Sequence, residues 1–115
     1  MSSRKQQFIY RLKLTRPALL VDGPTPEEAA ALAAHGQHLS RLASESVVLL
    51  AGRTQVDTPD AYGIVLFRAA CLQDAEAIMA SDPAVSSGVM SAELHPYAIA
   101  MIAEDFVHLA ADSDK

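Results

Sequence analysis

Two histidines stand three positions apart in the stretch AAHGQHL, residues 33–39, as His35 and His38. Imidazole is the side chain whose ordinary pKa suits proton transfer near neutrality. To act as a general base it needs an acceptor that holds its ring, normally a carboxylate. Asp82, in the stretch SDPAV, is the best acceptor by residue type. It also has a plain structural explanation, because Asp before Pro marks a helix N-cap or a turn. Spacing alone does not bring His35 and Asp82 together. Arg11, Arg16 and Arg53 are the candidates for anchoring an anionic group on a small organic molecule, since guanidinium pairs bidentately with carboxylate. Each also serves as an ordinary surface charge. Two histidines at i and i+3 have metal-ligand spacing, but no third ligand follows from spacing, so no metal and no other cofactor is assigned.

The helix that must carry the histidines is the clearest element of the chain. It reads TPEEAAALAAHGQHLSRLASE, with Thr25 as N-cap, Pro26 at the first helical position and Glu28 completing a capping box. Glu27 and Glu28 suit the positive end of the helix dipole. On a wheel of about 100° per residue, Leu32, Leu39 and Leu42 define the buried face. His35 falls within about 30° of its centre, whereas His38 lies about 90° away, at the border. Gly36 is a local weakness of about 1 kcal/mol against Ala, and a place for close approach of backbone or ligand.

The remaining elements follow from alternation and punctuation. FIYRLKL (8–14) alternates as a strand, with Phe8, Tyr10, Leu12 and Leu14 facing one way. TRPALLVDGP reads as a loop. Strands 47–51 and 62–69 form a hairpin across a polar turn. CLQDAEAIMASDP reads as a second helix that Pro83 prevents from continuing through Asp82. VMSAELHPYAIAM reads as a last strand, with Pro96 at a sheet edge, a bulge or an end. The final segment carries a helical turn and a polar tail. The order is βαββαβ, an α+β, ferredoxin-like fold in a single domain with its core over about residues 8–101 and a tail over 102–115. Two helices cover one face of such a sheet, yet strands 47–51 and 62–69 are apolar on both. A second copy placed face to face would cover the other, so a homodimer is expected.

Composition narrows the function classes. The chain has 115 residues and a formal net charge of −5, with one thin basic cluster of Arg4, Lys5, Arg11, Lys13 and Arg16. This is not the basic face of a protein that tracks phosphates, so no nucleic-acid partner is expected. The single cysteine, Cys71, excludes an intrachain disulfide and fits a reducing compartment. No apolar run reaches membrane-span length, and the polar N-terminus is not a secretory signal. The expected setting is the cytoplasm, with no membrane partner.

The segments HGQHLSRLASESVVLLAGRT and YGIVLFRAACLQDAEAIMASDPAVSSGVMSAELHPY resemble the YCII-related (YciI-like) family. The family pattern is a helix-borne His, leucines four and seven further on, a glycine-ended strand, a DP-x-V-x-x-G turn and an E-x-x-P strand. Here the leucines are Leu39 and Leu42, the glycine is Gly52, the turn is Asp82, Pro83, Val85 and Gly88, and Glu93 and Pro96 complete the strand. The ungapped distance to Gly52 selects His35; choosing His38 requires deleting three residues. Ser46 stands where the family often has Gly, at the helix-to-strand turn. The resemblance implies a dimeric α+β barrel with a His–Asp pair, His35 and Asp82, in a cleft between sheet and helices. A few relatives are linked to removal of halide from aromatic ring-cleavage substrates, and the wider superfamily includes lactone isomerases and small oxygenases.

Two functions are compatible with these residues. In the first, the protein is a lyase or isomerase of the dehydrochlorinase or muconolactone-isomerase type, with His35 moving a proton and Asp82 holding its tautomer. In the second, the homodimer binds a metabolite or serves as an accessory module without catalysis, and the His–Asp pair is a satisfied polar core. The partners expected are a second copy, with scope for higher assembly, and a small organic molecule.

Overall fold

The computed structural model describes residues 5–111. Arg4 of the basic cluster and the last four residues of the polar tail lie outside the described residues. The elements in chain order are β1 (Gln6–Leu14), α1 (Leu19–Asp22), α2 (Pro26–Ser44), β2 (Val48–Arg53), β3 (Gly63–Ala69), α3 (Leu72–Ser81), α4 (Pro83–Ser86), β4 (Met90–Tyr97) and α5 (Phe106–Ala111). The four strands form one antiparallel sheet in the order β2-β3-β1-β4. The α+β arrangement expected from the sequence is present, with the short helices α1, α4 and α5 added to it.

Alternation in β1 does what the period predicts. Phe8, Tyr10 and Leu12 are buried and pair with Phe67, Val65 and Gly63 on one side and with Pro96, Leu94 and Ala92 on the other. Leu39 and Leu42 of α2 and Ala75, Ile78 and Met79 of α3 pack onto this face. The opposite face carries Ile9, Arg11, Lys13, Ile64, Leu66 and Glu93, and no helix of the core cluster covers it. Pro96 sits in β4, an edge strand, where a missing N–H interrupts no ladder on the outer side.

Helix α2 begins as its sequence dictates. The Thr25 side chain accepts from the Glu28 N–H at 3.1 Å, and the Glu28 carboxylate accepts from the Thr25 N–H at 2.9 Å. It ends in a Schellman motif: Val47 N–H donates to Leu42 and Ser46 N–H to Ala43, with Ser46 at φ 61°. Ser46 therefore occupies a left-handed conformation that glycine adopts without steric cost, which accounts for the residue type the family favours there.

Three local readings are corrected. The stretch TRPALLVDGP is not wholly a loop; Leu19–Asp22 form one helical turn, closed by Gly23 at φ 82°. The second strand passes Gly52 and includes Arg53, while the last strand stops at Tyr97 rather than at Met101. Beyond it, Ile99 N–H donates to the Gln7 side chain at 2.8 Å.

Candidate active site

Asp82 is the centre of the site. It terminates α3 and caps α4, its Oδ1 accepting the Ala84 N–H at 3.0 Å. The capping role inferred from Asp-Pro is thus realised. The same Oδ1 accepts from His35 Nδ1 at 2.7 Å, and Oδ2 accepts the Tyr10 hydroxyl at 2.6 Å. Asp82 is fully buried, so these hydrogen bonds replace the water it has lost. Burial alone would raise its pKa. The hydrogen bonds from His35, Tyr10 and the Ala84 amide, together with the nearby His35 charge, outweigh burial and hold the carboxyl below its ordinary value. Asp82 is accordingly an ionised acceptor at neutral pH.

An ionised Asp82 settles the tautomer of His35. Nδ1 must carry the proton it donates, which leaves Nε2 as the basic nitrogen of the neutral ring. His35 lies on the inward face of α2 with its side chain 17% exposed, and it lines a cavity of about 700 Å³ between α2, α1 and the sheet. The wall is largely aliphatic, formed by residues such as Leu12, Leu14, Leu20, Leu39 and Met90. A cleft of this size with few polar groups has the form of a small-molecule site.

The sequence reading missed Tyr10 as a member of the site. Its ring packs edge-on against Phe67, with centroids 5.5 Å apart, and its hydroxyl reaches under the helices to Asp82. Burial, then the Asp82 hydrogen bond and charge, push the phenol pKa far upward, so Tyr10 remains a donor. The available signal was an inward-facing Tyr in an aliphatic strand, because a buried phenol must find an acceptor.

The arginines divide. Arg16 donates to both Glu28 oxygens, at 2.8 and 2.6 Å, and to the Gly23 carbonyl at 3.1 Å, tying α1 to the start of α2. Arg11 stacks over the Tyr62 ring at 4.4 Å on the face away from the core. Neither lines the cavity, whereas Arg53 does. His38 is half-buried at the border of the helix face; its Nδ1 accepts from Arg41 at 3.2 Å, and its buried Nε2 has no partner among the described residues. Burial lowers its pKa, Asp82 opposes this, and Arg41 and His35 add to the lowering. Gly36 lines the cavity, and a Cβ there would meet nothing within 4 Å outside its own helix, so among the described residues no other backbone approaches it closely. Among the described residues no group of three or more His, Cys, Asp or Glu gathers to hold a metal.

The sequence profile of the YCII-related domain matches residues 8–96. The chain belongs to the YCII-related family. His35, Asp82 and Tyr10 all fall inside the matched span. Among solved structures, the domain is similar to 5-chloro-2-hydroxyhydroquinone dehydrochlorinase (TftG) from Burkholderia phenoliruptrix AC1100, in complex with 2,5-dihydroxybenzoquinone. The TM-score is 0.57 at 15% identity, over 79% of this chain and 93% of that one. At this identity the likeness concerns the fold. No curated protein sequence matches.

Proposed function

We propose that this YCII-related domain is a lyase or isomerase that moves a proton on a small organic molecule. The observation that carries the reading is the His35–Asp82 hydrogen bond of 2.7 Å, formed by a fully buried carboxylate and a ring that lines the cavity. His35 Nε2 takes the proton from the substrate, and Asp82 holds the tautomer and stabilises the imidazolium that forms. Tyr10 positions Asp82 from below. The dehydrochlorination in the name of TftG, and its dihydroxybenzoquinone ligand, support small-molecule chemistry in this cleft.

The domain acts as a homodimer in this reading. Ile9 and Ile64 lie, only partly buried, on the sheet face that the core helices leave open, and a second copy covers them. The exposed free thiol of Cys71 supports a reducing, cytoplasmic setting.

NMR titration of His35 tests the proposal. The expected result is a set of His35 ring signals that shift when hydroxylated benzoquinones or lactones are added. Asp82→Asn offers Nδ1 an amide in place of a carboxylate, and is expected to lower turnover at least ~100-fold. A ring silent to every ligand, or full turnover in His35→Ala, overturns the proposal in favour of a structural His–Asp pair.

A further inference from the structure

We infer that Arg53 is the anion-recognising residue of the His35 cavity, and that the cavity takes a small, predominantly apolar monocarboxylate. The inference rests on the reading that this cavity holds an organic substrate, and it adds the substrate's chemical class.

The first support is the strand geometry. Val48 pairs with Phe67, but Leu50 pairs with Leu66 and Arg53 with Gly63, so the register shifts by one residue between Val48 and Leu50. An extra residue in one strand turns every later side chain to the other face. Without the shift, Arg53 would point to the face opposite the helices. With it, Arg53 shares the face of Gly63 and Leu12, which is the face of His35. Gly63 lies opposite Arg53 without a side chain; a Cβ there would stand 3.2 Å from the Gly52 carbonyl and 3.9 Å from the Arg53 Cβ. The arginine stem therefore has room beside it.

The second support is how the charges are used. Arg16 is paired with Glu28, Arg41 lies against Glu45 and His38, Arg68 donates to the Ser46 carbonyl, and Arg11 stacks on Tyr62. Among the described residues nothing engages the Arg53 guanidinium. Among the described residues no Asp or Glu lines the cavity, and Arg53 is its single permanently charged group. An unpaired guanidinium beside an aliphatic wall fits a planar carboxylate held bidentately, with the apolar body of the ligand against the leucines. One cation suits a monoanion better than a phosphate dianion.

The test is binding without turnover, measured by calorimetry with 4-phenylbutanoate and its neutral amide, 4-phenylbutanamide. The carboxylate is expected to bind the wild-type chain about tenfold tighter than the amide, the difference a charge-assisted hydrogen-bond pair makes. Arg53→Gln is expected to bring the two ligands to equal affinity, and Arg53→Lys to keep part of the preference. Lys5→Gln, which removes the same charge away from the cavity, is expected to keep all of it. Equal binding of the two ligands by the wild-type chain overturns the inference. So does an unchanged preference in Arg53→Gln, or binding of neither ligand at millimolar concentration. A carboxylate preference in a chain whose His35 is silent would retain this site and refute the proton-transfer reading. A responsive His35 without the preference would do the reverse.

Discussion

The Tyr10 hydroxyl donates to Asp82 at 2.6 Å across 72 residues of sequence, joining the centre of the sheet to the turn between α3 and α4. The carboxylate therefore has a donor on each oxygen, Tyr10 on Oδ2 and both His35 and Ala84 on Oδ1. Tyr10→Phe keeps the ring packing and removes only the hydroxyl. It leaves one buried carboxylate oxygen without this partner, which costs about 1–3 kcal/mol. Urea unfolding is expected to show this loss, and turnover is expected to fall less than in His35→Ala, because the imidazole contact survives.

Acid should weaken the fold through two carboxyls. Hydrogen bonds hold Asp82 below its ordinary pKa, and the Arg16 hydrogen bond leads the causes that bring Glu28 from 4.5 to about 2. The folded state then binds fewer protons than the unfolded chain, so stability is full above the ordinary carboxylate range and falls as pH drops through it. For Glu28 the window runs from 4.5 down to about 2. Glu28→Gln is expected to flatten the dependence of stability on pH in that window, as read by urea midpoints at a series of pH values.

Ser46 pays for the Schellman turn in backbone strain at φ 61°. Ser46→Gly removes the Cβ that the left-handed region disfavours, and is expected to stabilise the domain by about 1 kcal/mol. Ser46→Val is expected to destabilise it, because a β-branched residue fits that region worst. Thermal unfolding of the pair checks both signs.

Gly36 gives a prediction in which stability and binding part. Outside the backbone of its own helix, a Cβ at this position meets none of the described residues within 4 Å, so Gly36→Ala is expected to stabilise α2 by about 1 kcal/mol. The new methyl stands in the wall of the His35 cavity. A higher melting temperature with weaker ligand binding is therefore expected, measured on the same preparation.

Much of this molecule is legible locally. The capping box of Thr25 and Glu28, the two-residue alternation of β1 and the helical period that turns His35 inward depend on neighbours within a few residues. Backbone geometry and residue period decide such features before any tertiary contact forms. The distant relationships depend on packing. Asp-Pro specifies a cap, but only the docking of α2 beside the α3–α4 turn brings that cap to His35, 47 residues away. Tyr10 had to find an acceptor, yet nothing in β1 says that Asp82 supplies it. Arg16 and Arg53 look alike in sequence. Folding places Glu28 against the first, and a one-residue bulge turns the second toward the cavity. Local order is written in propensity and period. The partners of charges depend on which surfaces the hydrophobic core brings together, and that is a property of the whole chain.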